Sequence, residues 1–210
     1  MTDRRSEKPI TLGIVGGVGS GKSFTAAELV AQGAALFDAD LEAKMLYDDP
    51  SVLDIVRKRW PDVVNDAGAV DRKKLAQVVF APDETGRAEL VYLNSVLHPR
   101  LLAKFEQWLE SLDGHEFAVL DAPLLFEVGW DKHVDYIVFV DACEETRRRR
   151  TVARGWSPDE ISRRESRQVP LDVKKARADF VVNASRDDSA MDRQVFSILE
   201  SIRQIRQSRS

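Results

Sequence analysis

The sequence predicts an α/β protein in which a five-stranded parallel sheet lies between two layers of helices. Two observations predict this fold class. Five short apolar segments alternate with longer segments of helical periodicity, as in sheets that are covered on both faces. In addition, a glycine-rich turn follows the first apolar segment and precedes a predicted helix, which is the order of a strand, a phosphate-binding loop and a helix.

The predicted strands are short, and three of them end in an aspartate. Ligands of parallel α/β sheets bind beyond the carboxyl ends of the strands, so the acidic ends at Asp38, Asp121 and Asp141 are candidates for a functional site. The five predicted strands are Ile10–Val15, Ala35–Asp38, Phe117–Asp121, Tyr136–Asp141 and Phe180–Asn183.

The glycine-rich turn Gly16–Ser23 matches the P-loop pattern G-x-x-x-x-G-K-[ST], and a helix is predicted after it over Phe24–Gln32. Glycines allow successive backbone N–H groups to converge on phosphate oxygens. Lys22 can reach the β- and γ-phosphates, and Ser23 can offer its hydroxyl to Mg²⁺. A chance glycine-rich turn is the alternative, but the order of strand, loop and helix argues against it. The sequence therefore predicts that the chain binds a nucleoside triphosphate.

A long interval between the second and third strands, roughly residues 41–116, contains helical patterns and no strongly apolar strand. It is predicted to be a helical insertion beside the sheet. Four prolines, at positions 50, 61, 82 and 99, interrupt it. Its predicted helices are Ser51–Trp60, Arg72–Val79 and Glu89–Leu112.

An arginine-rich segment precedes the last strand. Residues 147–177 contain eleven Lys or Arg against four Asp or Glu. A solvated helix face, a nucleic-acid patch and a lid that closes on phosphates are the three interpretations, and a nearby P-loop favours the lid. Helices are predicted over Glu145–Ala153 and after Ser157, and an amphipathic helix over Met191–Ile205 is followed by fraying from Arg206.

Composition bounds the remaining possibilities. With 210 residues, 43% of them hydrophobic and 31% charged, the chain is typical of a soluble globular protein. A net charge of −4 gives no general case for nucleic-acid binding, and no apolar run approaches the length of a membrane span. Neither a secretory signal nor a second cysteine beside Cys143 is present, so the expected location is the cytoplasm.

Two classes of P-loop protein must be separated, a hydrolysing switch or motor and a kinase of a small metabolite. Asp83–Gly86 matches the D-x-x-G pattern of GTPase switch regions, but no guanine-reading N/T-K-x-D motif follows. The chain length, the helical insertion and the arginine-rich segment instead favour the architecture of nucleoside monophosphate kinases, with a core, an acceptor domain and a lid.

Six sequence blocks together make the chain similar to the dephospho-CoA kinase family. The resemblance extends in order from about Ile10 to about Ile205. The P-loop is common to many families, whereas the Asp-Ala-Asp, His-Pro and Pro-Leu-Leu-Phe-Glu blocks are far more specific. The blocks are Ile14–Ser23, Phe37–Asp40, Asp71–Leu75 with Val79–Phe80, Leu97–Leu101, Leu120–Glu127 and Ala178–Asn183.

The resemblance implies that ATP donates its γ-phosphoryl group to the ribose 3′-hydroxyl of dephospho-CoA, with Mg²⁺ as cofactor. It implies catalytic roles for Lys22, Asp40 and Arg150, with Asp40 as the base that chemistry requires for a ribose hydroxyl. The implied ATP contacts are Gly17, Val18, Gly19, Ser20, Gly21, Lys22, Ser23, Arg150 and Arg154. The implied acceptor contacts are Asp38, Asp40, Arg72, His98, Leu124, Phe126 and Glu127, and the implied metal contacts are Ser23 and, through water, Asp121.

Structural alternatives remain open for several of these residues. Asp38 and Asp40 could cap the strand end, His98 could be a structural loop histidine, and the apolar residues of Pro123–Glu127 could belong to the core, as is favoured for Leu125. Arginines 147, 148 and 149 cannot all face one ligand at helical spacing. Gln168 and Lys174 also fall in family-like register.

The chain departs from the family pattern at three places. Phe24 stands where Thr is usual, Arg147 where Gln is common, and Asn183-Ala184 where Asp-Asn is usual, which bears on nucleotide contacts and not on the reaction. A kinase of another nucleoside or small alcohol, and a nucleotide-dependent regulator, are the alternative functions. ATP and dephospho-CoA are the expected partners, without nucleic acid or membrane, for a monomer or weak homo-oligomer.

The resemblance also implies a division of the chain. A flexible extension is expected at residues 1–9 and a flexible tail at residues 207–210. The P-loop core is expected at 10–44, 113–146 and 178–206, a helical acceptor domain at 45–112, and the lid at 147–177.

Overall fold

The computed structural model describes residues 8–185 and 188–208. The expected extension at 1–9 and tail at 207–210 fall largely outside the described residues, although Gln207 still belongs to the last helix. The chain divides into two compact units. The first runs up to Phe37 and resumes at Leu112, and the second is Asp38–Ser111. The functional roles predicted for the separate domains stay predictions.

Five strands form one sheet in the first unit, in the order β2-β3-β1-β4-β5, which confirms the predicted five-stranded parallel sheet. β1 pairs in parallel with β3 on one side and with β4 on the other, and β4 pairs in parallel with β5. The strands are β1 Ile10–Gly16, β2 Ala35–Asp38, β3 Phe117–Asp121, β4 Tyr136–Asp141 and β5 Phe180–Asn183.

The described residues form nine α-helices. Two of them, α2 and α8, were not predicted because each has only one or two turns, too short to show helical periodicity. The helices are α1 Lys22–Ala31, α2 Ala39–Met45, α3 Pro50–Arg59, α4 Arg72–Val79, α5 Glu84–Ser111, α6 Glu144–Ala153, α7 Pro158–Glu165, α8 Leu171–Ala176 and α9 Asp188–Gln207.

The core of the first unit is built on β1, whose seven residues are all buried. Leu12 and Ile14 point to one face and pack with Leu29 of α1 and Leu199 and Ile202 of α9. Burying each such side chain contributes about 1.5–3 kcal/mol. This packing places the carboxyl end of β1, where the P-loop starts, beside the ends of β3 and β4.

Helix α5 is longer than predicted. It begins at Glu84, so the predicted start at Glu89 was wrong. Asp83 accepts a hydrogen bond from the backbone N–H of Gly86 at 2.7 Å, so the D-x-x-G sequence is the N-terminal cap of α5. The helix also continues through Pro99, although an interior proline costs about 3 kcal/mol. Apolar burial on the inner face of α5 outweighs that cost. The buried apolar residues of this helix are Leu93, Val96, Leu97, Leu101 and Phe105.

None of the helices in the described part of the chain is both long enough and apolar enough to span a membrane.

Candidate active site

The P-loop occupies the turn between β1 and α1, and its backbone conformation requires glycine at two positions. Gly19 has φ +74° and Gly21, the N-cap of α1, has φ +105°, both in the left-handed region that L side chains rarely adopt. A Cβ atom at Gly19 would also lie 2.6 Å from the backbone carbonyl oxygen of Arg147. The loop is therefore packed closely against α6.

Lys22 lies above this loop. Its Nζ donates hydrogen bonds to the carbonyl oxygens of Gly16 at 3.1 Å and Gly17 at 3.0 Å. These bonds hold a positive charge beside the loop amides. An ammonium group in that position is suited to bind the terminal phosphates of a nucleotide.

Ser23 and Asp121 provide the oxygen atoms that could hold a magnesium ion. Ser23 is exposed in the first turn of α1. Asp121 ends β3 and is paired in the sheet with Ile14, two residues before the P-loop. Hydroxyl, carboxylate, phosphate and water oxygens are the ligands that Mg²⁺ prefers, so these residues fit the ion. Among the side chains that the structure describes, no three of His, Cys, Asp or Glu are grouped as a metal site.

Helix α6 presents two of its four consecutive arginines to the P-loop side, and this answers the question that the spacing left open. Arg150 donates to the carbonyl oxygens of Ser20 and Ala184, both at 2.7 Å, and so joins the P-loop to the turn after β5. Arg147 is largely buried and pairs with Glu165 of α7 at 2.8 Å. The two arginines between them, 148 and 149, are exposed, as a helix with 3.6 residues per turn requires.

Arg154 is the C-cap residue of α6. It is exposed, and its guanidinium lies 5.8 Å from the ring centroid of Trp156, which Arg164 also contacts at 4.3 Å. A cavity of about 680 Å³ runs between α6 and α7 and reaches Val18 of the P-loop. Cavities of this volume accommodate small ligands. The predicted contact of Arg154 with ATP stays a prediction.

The segment Pro123–Glu127 follows β3 and has one exposed and several buried side chains. Leu124 is 37% exposed, whereas Leu125 is fully buried, which confirms that Leu125 belongs to the core. Phe126 is buried and carries the guanidinium of Arg177 at 4.0 Å from its ring centroid. Leu124 is therefore the apolar side chain of this segment that is most accessible to a ligand.

Glu127 makes its contacts inside the first unit. Its Oε1 pairs with Nζ of Lys174 at 2.9 Å and accepts a hydrogen bond from the backbone N–H of Val169 at 2.6 Å. Sequence reasoning placed Lys174 in family-like register but missed this pair. A lysine in an arginine-rich segment has no local signal of burial, so only the fold could reveal the contact.

Asp38 ends β2 and begins the second unit, and Asp40 follows in α2. Asp38 is the N-cap of α2, and its Oδ1 accepts a hydrogen bond from the N–H of Leu41 at 2.9 Å. Asp38 therefore caps the helix that follows the strand end, and its predicted contact with the acceptor stays a prediction. Asp40 lies exposed in the first turn of α2.

The second unit also contains the remaining predicted acceptor residues. Arg72 is exposed at the first position of α4. Burial raises the pKa of Tyr47 above its ordinary value, and the positive charge of Arg72 offsets part of this rise. His98 is half-buried in α5, not in a loop, and burial lowers its pKa below the ordinary value of 6.5. His98 is therefore mainly neutral at pH 7.

The family profile and the curated relatives of similar sequence agree on one family. A family profile described as dephospho-CoA kinase matches residues 10–189. The chain is 39% identical over 179 residues to the dephospho-CoA kinase of Symbiobacterium thermophilum, covering 82% of this chain and 72% of that protein. It is 34% identical over 197 residues to that of Deinococcus radiodurans, covering 92% and 93%. The crystal structure of TT1252 from Thermus thermophilus is similar with a TM-score of 0.82 and 31% identity, covering 93% of this chain and 98% of that one.

Proposed function

Because the chain belongs to the dephospho-CoA kinase family, it phosphorylates dephospho-CoA with ATP in coenzyme A biosynthesis, and we propose that the phosphoryl group passes to the ribose 3′-hydroxyl. The observation that carries this proposal is the P-loop geometry, with Lys22 above the loop carbonyls at the carboxyl end of β1. That arrangement supports a triphosphate with its γ-phosphate at the edge of the sheet.

The nucleotide is bound by the loop amides of residues 17–21 and by the start of α1. Lys22 turns from the loop carbonyls to the β- and γ-phosphates and stabilises the charge that develops on them. Ser23, directly, and Asp121, through water, are the residues that would hold Mg²⁺. When bound, the ion would supply positive charge that offsets the negative charge of the phosphates.

Asp40 acts as the general base in this proposal. Its carboxylate accepts the proton of the 3′-hydroxyl while the hydroxyl oxygen forms a bond to the γ-phosphorus. The bond between the γ-phosphorus and the β–γ bridging oxygen breaks, and ADP leaves. The exposed position of Asp40 in the first turn of α2 supports this role, because the carboxylate is accessible to an acceptor hydroxyl.

Arg150 contributes through the P-loop. Because it binds the carbonyl of Ser20, it aligns the loop amides and keeps its positive charge close to the phosphate site. Arg154 and the rest of the lid, residues 147–177, close over the nucleotide and exclude water, which would otherwise compete as the phosphoryl acceptor.

The acceptor is bound mainly by the second unit in this proposal. Asp38 orients Asp40 by capping the same helix, and Arg72 and His98 bind polar groups of dephospho-CoA. Leu124 provides an apolar contact with the acceptor. Phe126 and Glu127 stabilise the position of the same segment. The reaction is expected in the cytoplasm, with the chain acting as a monomer or weak homo-oligomer.

A coupled ADP-release assay tests the proposal. Dephospho-CoA should stimulate ADP formation strongly, and the product should carry its new phosphate on the ribose 3′-oxygen. Adenosine, AMP, shikimate and buffer alone serve as matched acceptors and blank. A stronger response to any of these than to dephospho-CoA would contradict the proposal.

A further inference from the structure

Lys174 in α8 is a buried charged residue that the reaction does not use directly. Its side chain is 0% exposed, and its Nζ lies 2.9 Å from Oε1 of Glu127 and 3.2 Å from Oε1 of Gln168. A lysine is almost never fully buried unless it is paired. The contacts of this ammonium therefore join α8 to the segment that follows β3 and to the residue that precedes Val169.

Glu127 makes a second set of contacts around this ammonium. Its Oε1 also accepts the N–H of Val169 at 2.6 Å, and its Oε2 is buried without a hydrogen bond. A buried ion pair with an unsatisfied oxygen gains little net stability over apolar residues of the same size. The main effect of this ion pair is therefore to fix the position of α8, and not to stabilise the fold. We call Glu127, Gln168, Val169 and Lys174 the internal anchor.

The position that the internal anchor imposes is that of α8 against the P-loop. Both methyl carbons of Leu171 lie 3.2 Å from where a Cβ atom at Gly17 would be. Arg177, just after α8, pairs with Asp131 at 2.6 Å and lies over the ring of Phe126. Helix α8 thus contacts the P-loop at its N-terminal end, and the residue that follows it contacts the segment after β3.

The segment before the internal anchor is held much less firmly. Helix α7 has no buried residue, and Glu165 at its end is about half exposed in the pair with Arg147. With only Arg147 largely buried and Glu165 open to water, this single pair holds α7 less firmly than burial of apolar side chains would. After α6, whose Arg150 and Thr151 pack at the P-loop side, the firm packing of the arginine-rich segment therefore resumes at Gln168, and α8 belongs to the fixed core although it lies within residues 147–177.

We propose that Glu127 and Lys174 are positioning residues that hold α8 against the P-loop, so that the segment of residues 154–167 closes from a fixed boundary at Gln168. Glu127 acts on phosphoryl transfer through Lys174 and Val169 and not by contact with the acceptor. Without the internal anchor, Leu171 is no longer held beside Gly17. The loop amides and residues 154–167 are then no longer held in a fixed position relative to each other.

Lys174→Met and the double variant Glu127→Gln/Lys174→Met test this inference. Lys174→Met leaves a buried carboxylate without its partner, so Tm should fall by about 10 °C. The double variant removes the unpaired charge and keeps an acceptor for the N–H of Val169, so Tm should return to within about 3 °C of wild type. Its kcat should nevertheless stay about 10- to 100-fold low, with KM for ATP changed less than threefold, because positioning is lost and binding is not.

Protection from trypsin provides a readout that stability alone would not change. A non-hydrolysable ATP analogue should protect the arginine-rich residues 163–167 in wild type and fail to protect them in the double variant. Lys175→Met is the matched control, because this neighbouring lysine makes an exposed pair with Asp141 and should keep wild-type Tm, kcat and protection.

The kinetic part of this inference rests on the proposed function, and the two can fail separately. Recovery of both Tm and kcat in the double variant, with normal protection, would show that the pair is merely structural and would overturn the inference. Wild-type protein that does not phosphorylate dephospho-CoA would instead contradict the proposed function, and the protection experiment would still decide whether the internal anchor positions the closing segment.

Discussion

Replacing Gly19 by alanine should damage the P-loop more than the backbone angle alone explains. At φ +74° an alanine costs about 1–2 kcal/mol in any setting. At Gly19 the added Cβ would also lie 2.6 Å from the carbonyl oxygen of Arg147, so the oxygen or the loop must move by roughly 0.7 Å to reach an ordinary carbon–oxygen separation of about 3.3 Å. Forced overpacking of this kind costs about 1–3 kcal/mol more.

Gly114→Ala is the matched control for this substitution. Gly114 has the same φ of +74°, and nothing lies within 4 Å of its added Cβ atom. Both variants therefore share the backbone cost, and only Gly19→Ala carries the collision. We expect a free energy of unfolding about 1–3 kcal/mol lower for Gly19→Ala than for Gly114→Ala, which corresponds to a Tm difference of about 2–12 °C.

Urea unfolding and steady-state kinetics of the two variants measure the effect. A shift of the loop amides by a large fraction of an ångström should lower kcat/KM for ATP at least about tenfold in Gly19→Ala, whereas Gly114→Ala should keep the wild-type value. Equal unfolding free energies and equal kcat/KM in the two variants would refute the conclusion that α6 packs directly on the loop backbone.

Three further substitutions test the site residue by residue. Lys22→Ala should lower kcat about 10²- to 10³-fold with Tm nearly unchanged, because its ammonium stabilises transferring phosphate, and near-wild-type turnover would remove Lys22 from the mechanism. Asp40→Asn should lower kcat about 10²- to 10⁴-fold in the ADP-release assay while KM for ATP stays within a few-fold; a change in KM alone would make Asp40 a binding residue. His98→Gln should flatten the pH dependence of unfolding. Because the folded pKa of His98 lies below its unfolded value of 6.5, its contribution is complete above pH 6.5 and is lost as the pH falls toward the folded pKa. Parallel loss of stability in wild type and variant between pH 7 and 5 would show that His98 does not contribute.

The strands and the P-loop could be predicted because their signals are local. Four of the five strands, β2 to β5, have the predicted bounds, since buried parallel strands are short apolar segments that end at polar residues. The start of α5 could not be predicted in this way. Asp83–Gly86 has the same letters in a switch region and in a helix cap, and only the hydrogen bond from Gly86 to Asp83 distinguishes them.

The roles of charged side chains were the least predictable part of the candidate site. The sequence spacing predicts that Arg147, Arg148 and Arg149 do not share one face, but it does not say which of them is buried. Likewise, the family resemblance implies that Glu127 contacts the acceptor. In the structure, its Oε1 pairs with Lys174 and accepts a hydrogen bond from Val169. Such pairs join residues more than forty positions apart, beyond the reach of any local pattern.

By itself, the sequence determined the class of fold, the phosphate-binding loop and the family, because each depends on residue types at fixed short spacing. Only the tertiary structure decided which charged side chains are buried and which groups they contact. Burial and pairing of Lys174, and the approach of α6 to Gly19, arise only when distant segments pack, since a charge leaves water only where the fold supplies a partner.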